Sequence, residues 1–100
     1  MIKHVILWKL KDEYSEDEKA RIKANLQQAL EALVGKIDGL LEMKVYIKGL
    51  PSSNADWMLD STFESEEALK AYAVHPDHVA VADTYVRPFV SNRFCLDYEI

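Results

Sequence analysis

The sequence predicts one α+β domain in which a four-stranded antiparallel sheet carries both helices on one face. The chain has 100 residues, which leaves room for a single domain with one core, residues 1–100. Four segments alternate their apolar residues with the strand period of two, and two segments repeat them with the helical period. These segments follow one another in the order β-α-β-β-α-β.

The first strand is predicted over residues 2–10. Every second residue from Ile2 to Leu10 is apolar except His4. The opposite face also carries apolar residues, Val5 and Leu7, so we expect this strand to be covered on both sides.

The first helix is predicted over residues 16–34. Ser15 followed by Glu18 is a capping box, in which each residue satisfies a backbone N–H of the other. Apolar residues then recur at helical spacing as far as Leu33, and Gly35 supplies a stop.

Two strands follow, joined by a loop of Gly, Pro and Ser over residues 49–54. The second strand is predicted over residues 40–48, and one of its faces carries Leu41, Met43, Val45 and Ile47. The third is predicted over residues 56–63, and one of its faces carries Trp57, Leu59 and Phe63.

The second helix is predicted to begin at Ser65 and to be interrupted at His75-Pro76. A shorter helical segment continues to Arg87-Pro88, with an apolar stripe of Val79, Ala82 and Tyr85. The last strand is predicted over residues 90–98, where apolar and polar residues alternate again.

This order of elements is the split βαβ arrangement of the ferredoxin-like fold. Both helices pack on one face of such a sheet, so the other face, which includes Val5 and Leu7, is left bare. A large exposed apolar face usually marks a partner surface. We therefore expect a homodimer in which two sheets pack face to face and close a dimeric α+β barrel.

Composition excludes several classes of partner. The net charge is −5 without a basic cluster, so neither nucleic acid nor an anionic membrane surface is expected as a partner. Cys95 is the only cysteine, which excludes an intrachain disulfide and a zinc site built on several thiolates. No leader pattern or membrane-length apolar run is present, so we expect a cytoplasmic protein.

Tyr72 and His78 are the best candidate catalytic residues. Six positions apart in an unbroken helix, they would lie on different faces. Pro76 disfavours helical geometry at His75 and suits the first position of a new helix, so a bend there would aim both side chains into one space. The positive end of the new helix would then keep His78 neutral, as a general base requires. His75 is predicted to be structural, as a cap.

His4 is predicted to line the same cavity. Its ring interrupts an apolar face, where an unpaired polar group costs about 1–3 kcal/mol. We expect its partner in the cavity that holds Tyr72 and His78. A metal site from His4, His75 and His78 lacks supporting ligand spacing, so no metal or other cofactor is predicted.

The sequence resembles the stress-responsive α/β-barrel (Dabb) domain family over essentially its whole length. The resemblance rests on the opening segment Lys3–Asp12, on Thr62–Ser65, on the Tyr72 to Val79 segment and on Leu96–Tyr98. Its most specific part is the Tyr-x-x-His-Pro-x-His pattern that ends at His78.

This resemblance implies a ferredoxin-like dimeric barrel. The enzymatic relatives that it brings in are plant polyketide cyclases, which close a poly-β-keto chain by aldol condensation. In those enzymes the position matching His78 is the base and that matching Tyr72 orients a carbonyl. The resemblance also implies a pocket lined by His4, Ile6, Trp8, Ile22, Leu26 and Leu59. Trp8 is bulkier than the usual residue, and Leu26 replaces a tyrosine, so the cyclase substrate does not transfer.

Three functions remain open at this point. The first is an enzyme, cyclase-like or lyase-like, that abstracts a proton next to a carbonyl. The second is a non-enzymatic, stress-associated dimer that binds a small apolar ligand, and a pocket filled by Trp8 would favour it. The third, a haem- or quinone-handling monooxygenase, rests on fold analogy alone.

Overall fold

Four antiparallel strands form one sheet in the order β2-β3-β1-β4 in the computed structural model, which describes residues 1–100. The strands are β1 (Ile2–Leu10), β2 (Leu40–Tyr46), β3 (Trp57–Phe63) and β4 (Val90–Glu99). The helices are α1 (Glu16–Glu31), α2 (Glu66–Val74) and α3 (Pro76–Val81), the last continued by a π-helical turn over Ala82–Val86 and a 3-10 turn over Arg87–Phe89. The predicted element order and the ferredoxin-like fold class are confirmed.

Helix α1 begins as predicted and ends earlier. The Ser15 hydroxyl accepts the Glu18 N–H at 3.1 Å, and the Glu18 carboxylate accepts the Ser15 N–H at 2.9 Å. The helix ends at Glu31, whereas the prediction extended it to residue 34. Beyond Glu31 the backbone tightens into bonds three residues apart, such as that from Leu33 N–H to the Leu30 carbonyl.

The core lies between the helices and one face of the sheet. On that face β1 buries Ile2, Ile6, Trp8 and Leu10, and β3 buries Trp57, Leu59 and Phe63. Helix α1 is tied to edge strand β2 by two side chains, because Gln27 donates to the Val45 carbonyl and Glu31 accepts the Val45 N–H.

Two residues that the sequence pattern groups with apolar neighbours are exposed. A register shift between Leu40 and Glu42 turns Leu41 out to 45% exposure, away from Met43 and Val45, and buries Leu40 in its place. The π-helical turn after α3 adds a residue to the helical repeat, so Val86 is buried and Tyr85 is 38% exposed.

The other face of the sheet carries large exposed apolar side chains, as predicted. Leu7 lies opposite Phe94 and Val5 lies opposite Leu96 across β1 and β4. Together with Val5, the exposed side chains of this face form what we call the bare face; they include Leu7, Tyr46, Phe94, Leu96 and Tyr98. No helix has the length and apolar character that crossing a membrane requires.

Candidate functional site

The break between α2 and α3 positions the two candidate catalytic side chains. His75 has extended backbone geometry (φ −66°, ψ 132°), and Pro76 is the first residue of α3. The His75 ring accepts the Asp77 N–H at 3.1 Å, so His75 caps α3, as predicted. The His75 N–H in turn donates to the Tyr72 carbonyl at 3.1 Å, which fixes the bend.

The bend brings Tyr72 and His78 into contact. Their rings stack with centroids 4.0 Å apart and planes inclined by 30°. Phe63 packs edge-on against Tyr72 at 5.0 Å, and Tyr72 is only 2% exposed. The Tyr72 hydroxyl makes no hydrogen bond within the protein, which leaves it free to donate to a ligand.

Burial shifts the pKa of both groups toward their neutral forms. Burial raises the pKa of Tyr72, and the positive charge of Arg93 opposes this shift in part. Burial is also the main cause of the lowered pKa of His78, with the charge of Arg87 as a smaller contribution. The helix dipole of α3, which was the cause expected from the sequence, stays a prediction for this six-residue helix.

The His78 ring keeps a free nitrogen. Its Nδ1 is buried without a hydrogen-bond partner. The carbonyls of Ala73 and Tyr72 lie close to the ring and oppose the lowering of its pKa, and Ala73 contributes more than the charge of Arg87. At neutral pH the site therefore combines a neutral imidazole with a protonated phenol.

The partner of His4 was not foreseen. We expected it among Tyr72 and His78, but His4 Nδ1 is hydrogen-bonded to Asp97 Oδ1 of β4. The His4 ring lies 6.4 Å from the ring of Tyr72, centroid to centroid. A signal for Asp97 was available, because β1 and β4 are neighbours in a ferredoxin-like sheet and His4 lies directly opposite Asp97.

A cavity of about 210 Å³ lies between the sheet and the helices, beside the stacked pair. Of the predicted lining residues, the cavity contacts His4, Ile6, Trp8 and Leu59 together with Tyr72 and His78. It does not contact Ile22 or Leu26, because Leu26 is fully buried in the core and α1 reaches the cavity only through Leu30. Trp8 is held by stacking on Trp57 at 3.8 Å.

The sequence interpretation also missed two cations at the cavity, Arg87 and Arg93. Arg87 is paired with Asp83 on the preceding helical turn. Arg93 makes no ion pair and lies on the side of β4 that faces the helices, opposite Trp8. The three histidines do not share a ligand position, since His75 caps α3; the residues that cluster are His4, Cys95 and Asp97.

The class of this protein is defined by a ferredoxin-like α+β domain with a bare apolar sheet face, in which a buried tyrosine stacks on a half-buried histidine. Residues 2–100 match the Stress responsive A/B Barrel Domain (Dabb), and the chain belongs to that family.

Three relatives illustrate the range of this family. Olivetolic acid cyclase of Cannabis sativa is 31% identical over 97% of this chain and 94% of its own length. A dimeric protein of unknown function from Bacteroides fragilis, with a ferredoxin-like fold, is 32% identical over 99% of this chain and 95% of its own, with a TM-score of 0.92. A stress-response A/B barrel domain-containing protein of Arabidopsis thaliana is 32% identical over 98% of this chain, which spans only 36% of that protein.

Proposed function

We propose that this protein is an enzyme that abstracts a proton next to the carbonyl of a small substrate, with His78 as the base and Tyr72 as the carbonyl hydrogen-bond donor. The observation that carries the proposal is the stacked pair itself. A neutral imidazole and a protonated phenol meet at a largely apolar cavity, where His78 Nδ1 has no hydrogen-bond partner. The likeness to olivetolic acid cyclase supports the same class of chemistry.

The first step of the proposed reaction breaks a C–H bond. The proton passes from the substrate carbon to an imidazole nitrogen of His78, and the electron pair moves onto the carbonyl oxygen to form an enolate. The Tyr72 hydroxyl donates a hydrogen bond to that oxygen as its charge develops. Arg93 assists electrostatically, because the positive charge that favours a phenolate at Tyr72 also favours an oxyanion bound there.

The second step returns the proton. In an aldol closure the enolate carbon attacks a second carbonyl of the substrate, and the new alkoxide takes the proton from His78. In a simple isomerisation the proton returns to carbon. Either outcome leaves His78 and Tyr72 in their starting states, so the cycle balances without a cofactor.

The cavity favours a small substrate. Its volume of about 210 Å³ is below the roughly 300–1,000 Å³ of pockets that hold drug-sized ligands. The stacked Trp8 fills space on the sheet side. We therefore propose small enolisable ketones and aldehydes as the substrate class.

Hydrogen–deuterium exchange tests the proposal directly. Acetone, 2-butanone and cyclopentanone are incubated with the protein in D₂O, and exchange at the carbon next to the carbonyl is followed by NMR. We expect His78→Ala to slow the protein-catalysed rate by about 10²- to 10⁴-fold and Tyr72→Phe by about 10²- to 10³-fold. Tyr85→Phe, a change at an exposed tyrosine outside the cavity, is the matched control and should keep the wild-type rate.

Two results would contradict the proposal. One is exchange by the wild-type protein that is no faster than in buffer with each of the three ketones. The other is a wild-type rate in folded His78→Ala.

A second candidate is non-enzymatic binding of a small apolar ligand, which the apolar lining and small size of the cavity favour. The two functions separate in the wild-type protein. A binding protein is saturated by its ligand without accelerating exchange next to a carbonyl, whereas the enzyme accelerates that exchange.

We also propose that a second copy of the chain covers the bare face. Support comes from its exposed apolar side chains, such as Phe94 and Leu96 at 69% and 64% exposure, and from the dimeric Bacteroides relative. Light scattering should give twice the chain mass of 11.5 kDa. A monomer at micromolar concentration would contradict this assembly.

A further inference from the structure

Three side chains of different chemistry meet where β1 pairs with β4. His4 comes from β1, and Cys95 and Asp97 come from β4. Alternation along a strand puts Cys95 and Asp97 on the same face, and the register puts Asp97 opposite His4. Their ligand atoms, an imidazole nitrogen, a thiol sulfur and a carboxylate oxygen, all lie within 4.8 Å of one another.

The spacing of these atoms is close to that of a tetrahedral zinc site. Zinc bonds of about 2.3 Å to sulfur and about 2.0–2.2 Å to nitrogen and oxygen place tetrahedral ligands about 3.3–3.7 Å apart. Cys95 Sγ lies 3.4 Å from Asp97 Oδ1 and 3.7 Å from His4 Nδ1. Two of the three ligand-to-ligand separations therefore already fit.

The third separation has to widen, because His4 and Asp97 are hydrogen-bonded to each other. A cation placed between them would replace that bond. The two side chains differ in how freely they move: the His4 side chain is 10% exposed, whereas that of Asp97 is 45% exposed. Rotation of Asp97 alone would open the separation while His4 stays in place.

We propose that His4, Cys95 and Asp97 form a binding site for one Zn²⁺ ion. An imidazole with a thiolate selects a borderline-soft cation, whereas Mg²⁺ and Ca²⁺ take oxygen ligands. Binding releases the Cys95 thiol proton to solvent, and the ring proton that His4 Nδ1 donates to Asp97 moves by way of solvent to Nε2, which frees Nδ1 to bind the metal. Three protein ligands leave the fourth position to water, as in zinc sites that keep an open coordination position.

The site is accessible to a metal from solvent. The three residues border an outer cleft of about 620 Å³, which lies on the side of β4 that faces α2. The charged groups around that cleft are Glu66, Lys70, Arg93, Asp97 and Glu99, three acidic and two basic. Arg93 is the cation that acts on Cys95 and opposes metal binding, whereas the carboxylates around the cleft outnumber the cations and favour it.

The site is distinct from the proposed catalytic pair, since neither Tyr72 nor His78 is a ligand. Of the three proposed ligands, only His4 borders both the inner cavity and the outer cleft. Metal binding is measured without turnover. A negative metal titration therefore does not contradict the proposed proton abstraction, and a negative exchange assay does not contradict the metal site.

Co²⁺ and Zn²⁺ titrations of the untagged, chelator-treated protein test the inference. With Co²⁺ we expect a thiolate-to-metal charge-transfer band in the near ultraviolet, together with the intense visible bands of tetrahedral Co²⁺, saturating at one ion per chain. Calorimetry with Zn²⁺ should give the same stoichiometry. Cys95→Ser should abolish the charge-transfer band.

Variants identify the ligands. Cys95→Ser and Asp97→Asn should each weaken Zn²⁺ binding by more than the roughly 10- to 100-fold lost when only a supporting residue is removed. Glu66→Gln and Glu99→Gln change carboxylates of the same cleft outside the triad and should stay near the wild-type affinity. Circular dichroism verifies that each variant is folded. The absence of a thiolate band in the wild-type protein, or equal Zn²⁺ affinity in folded Cys95→Ser, overturns the site.

Discussion

The candidate site has two walls of different construction. The helix wall, Tyr72 and His78, is made by residues six apart, and a single bend at Pro76 brings them together. The strand wall, His4 and Asp97, joins residues 93 positions apart through the pairing of β1 with β4. Local backbone geometry thus builds one wall, and long-range sheet register builds the other.

The walls also differ in how their polar atoms are satisfied. On the strand wall, His4 Nδ1 bonds to Asp97, and the His4 carbonyl accepts the buried Ser61 hydroxyl at 2.7 Å. On the helix wall, His78 Nδ1 is buried without a partner. A buried polar atom without a partner destabilises a fold, so the helix wall gives up stability at the imidazole that the proposed chemistry uses.

The largest expected effect is at the residue that both walls share. Phe63 is fully buried and packs edge-on against the rings of Tyr72 at 5.0 Å and His4 at 6.2 Å. Phe63→Ala should lower the free energy of unfolding by about 3–5 kcal/mol, because it opens a cavity that both walls line. Urea unfolding at fixed protein concentration measures the loss.

Phe63→Leu is the matched control, since it refills most of the volume and should recover more than half of that loss. A loss below about 1 kcal/mol in Phe63→Ala, the size of an average point substitution, would show that the walls do not depend on this contact.

The helix wall was predictable because its signals are local. Proline before a short helical segment marks the bend, and the Ser15–Glu18 pair marks the start of α1 in the same way. The period-two and helical patterns were enough to predict the order of the strands and helices. That order in turn predicted the four-stranded antiparallel sheet. Such signals operate within a few residues, where backbone sterics and hydrogen bonding decide the geometry.

The errors arose where geometry is set by tertiary context. The bulge that exposes Leu41 and the π-helical turn that exposes Tyr85 each shift a repeat by one residue, and the neighbouring Gly39 and Pro88 do not by themselves specify such a shift. Asp97 became the partner of His4 only through strand pairing. Leu26 was assigned to the cavity by resemblance, although in this chain it packs wholly in the core.

A second, smaller effect should separate the two walls. Asp97→Ala leaves the buried His4 ring without its partner, and we expect a loss of about 1–3 kcal/mol in the free energy of unfolding. Asp97→Asn keeps a hydrogen-bonding side chain and should lose less. Tyr72→Phe removes a hydroxyl that has no partner, so its stability should stay within about 0.5 kcal/mol of the wild type.

The same urea titrations, run in metal-free buffer, compare the three variants. If Tyr72→Phe loses as much stability as Asp97→Ala, the hydroxyl has a partner in solution, and the contrast between the walls fails.

The smallest expected effect is the pH dependence contributed by His78. Burial holds its pKa in the folded state below that of an unfolded chain, so the unfolded state takes up a proton first as the pH falls. Stability is therefore unaffected by His78 well above its unfolded pKa of about 6.5 and declines as the pH falls from there toward the folded pKa. One proton limits this contribution to about 1.4 kcal/mol per pH unit.

His78→Gln should remove that contribution and give a shallower loss of stability toward acid. Unfolding midpoints in urea between about pH 5 and 8, the range in which histidine titrates, measure the slope. His75→Asn, which keeps a side chain able to cap α3, is the histidine control. It should lose stability toward acid as steeply as the wild type does. Equal slopes in His78→Gln and the wild type would mean that the imidazole is as easily protonated in the folded chain as in the unfolded one. In that case His78 would be charged in mildly acidic solution. It would become a neutral base only when a bound substrate excluded water from the ring.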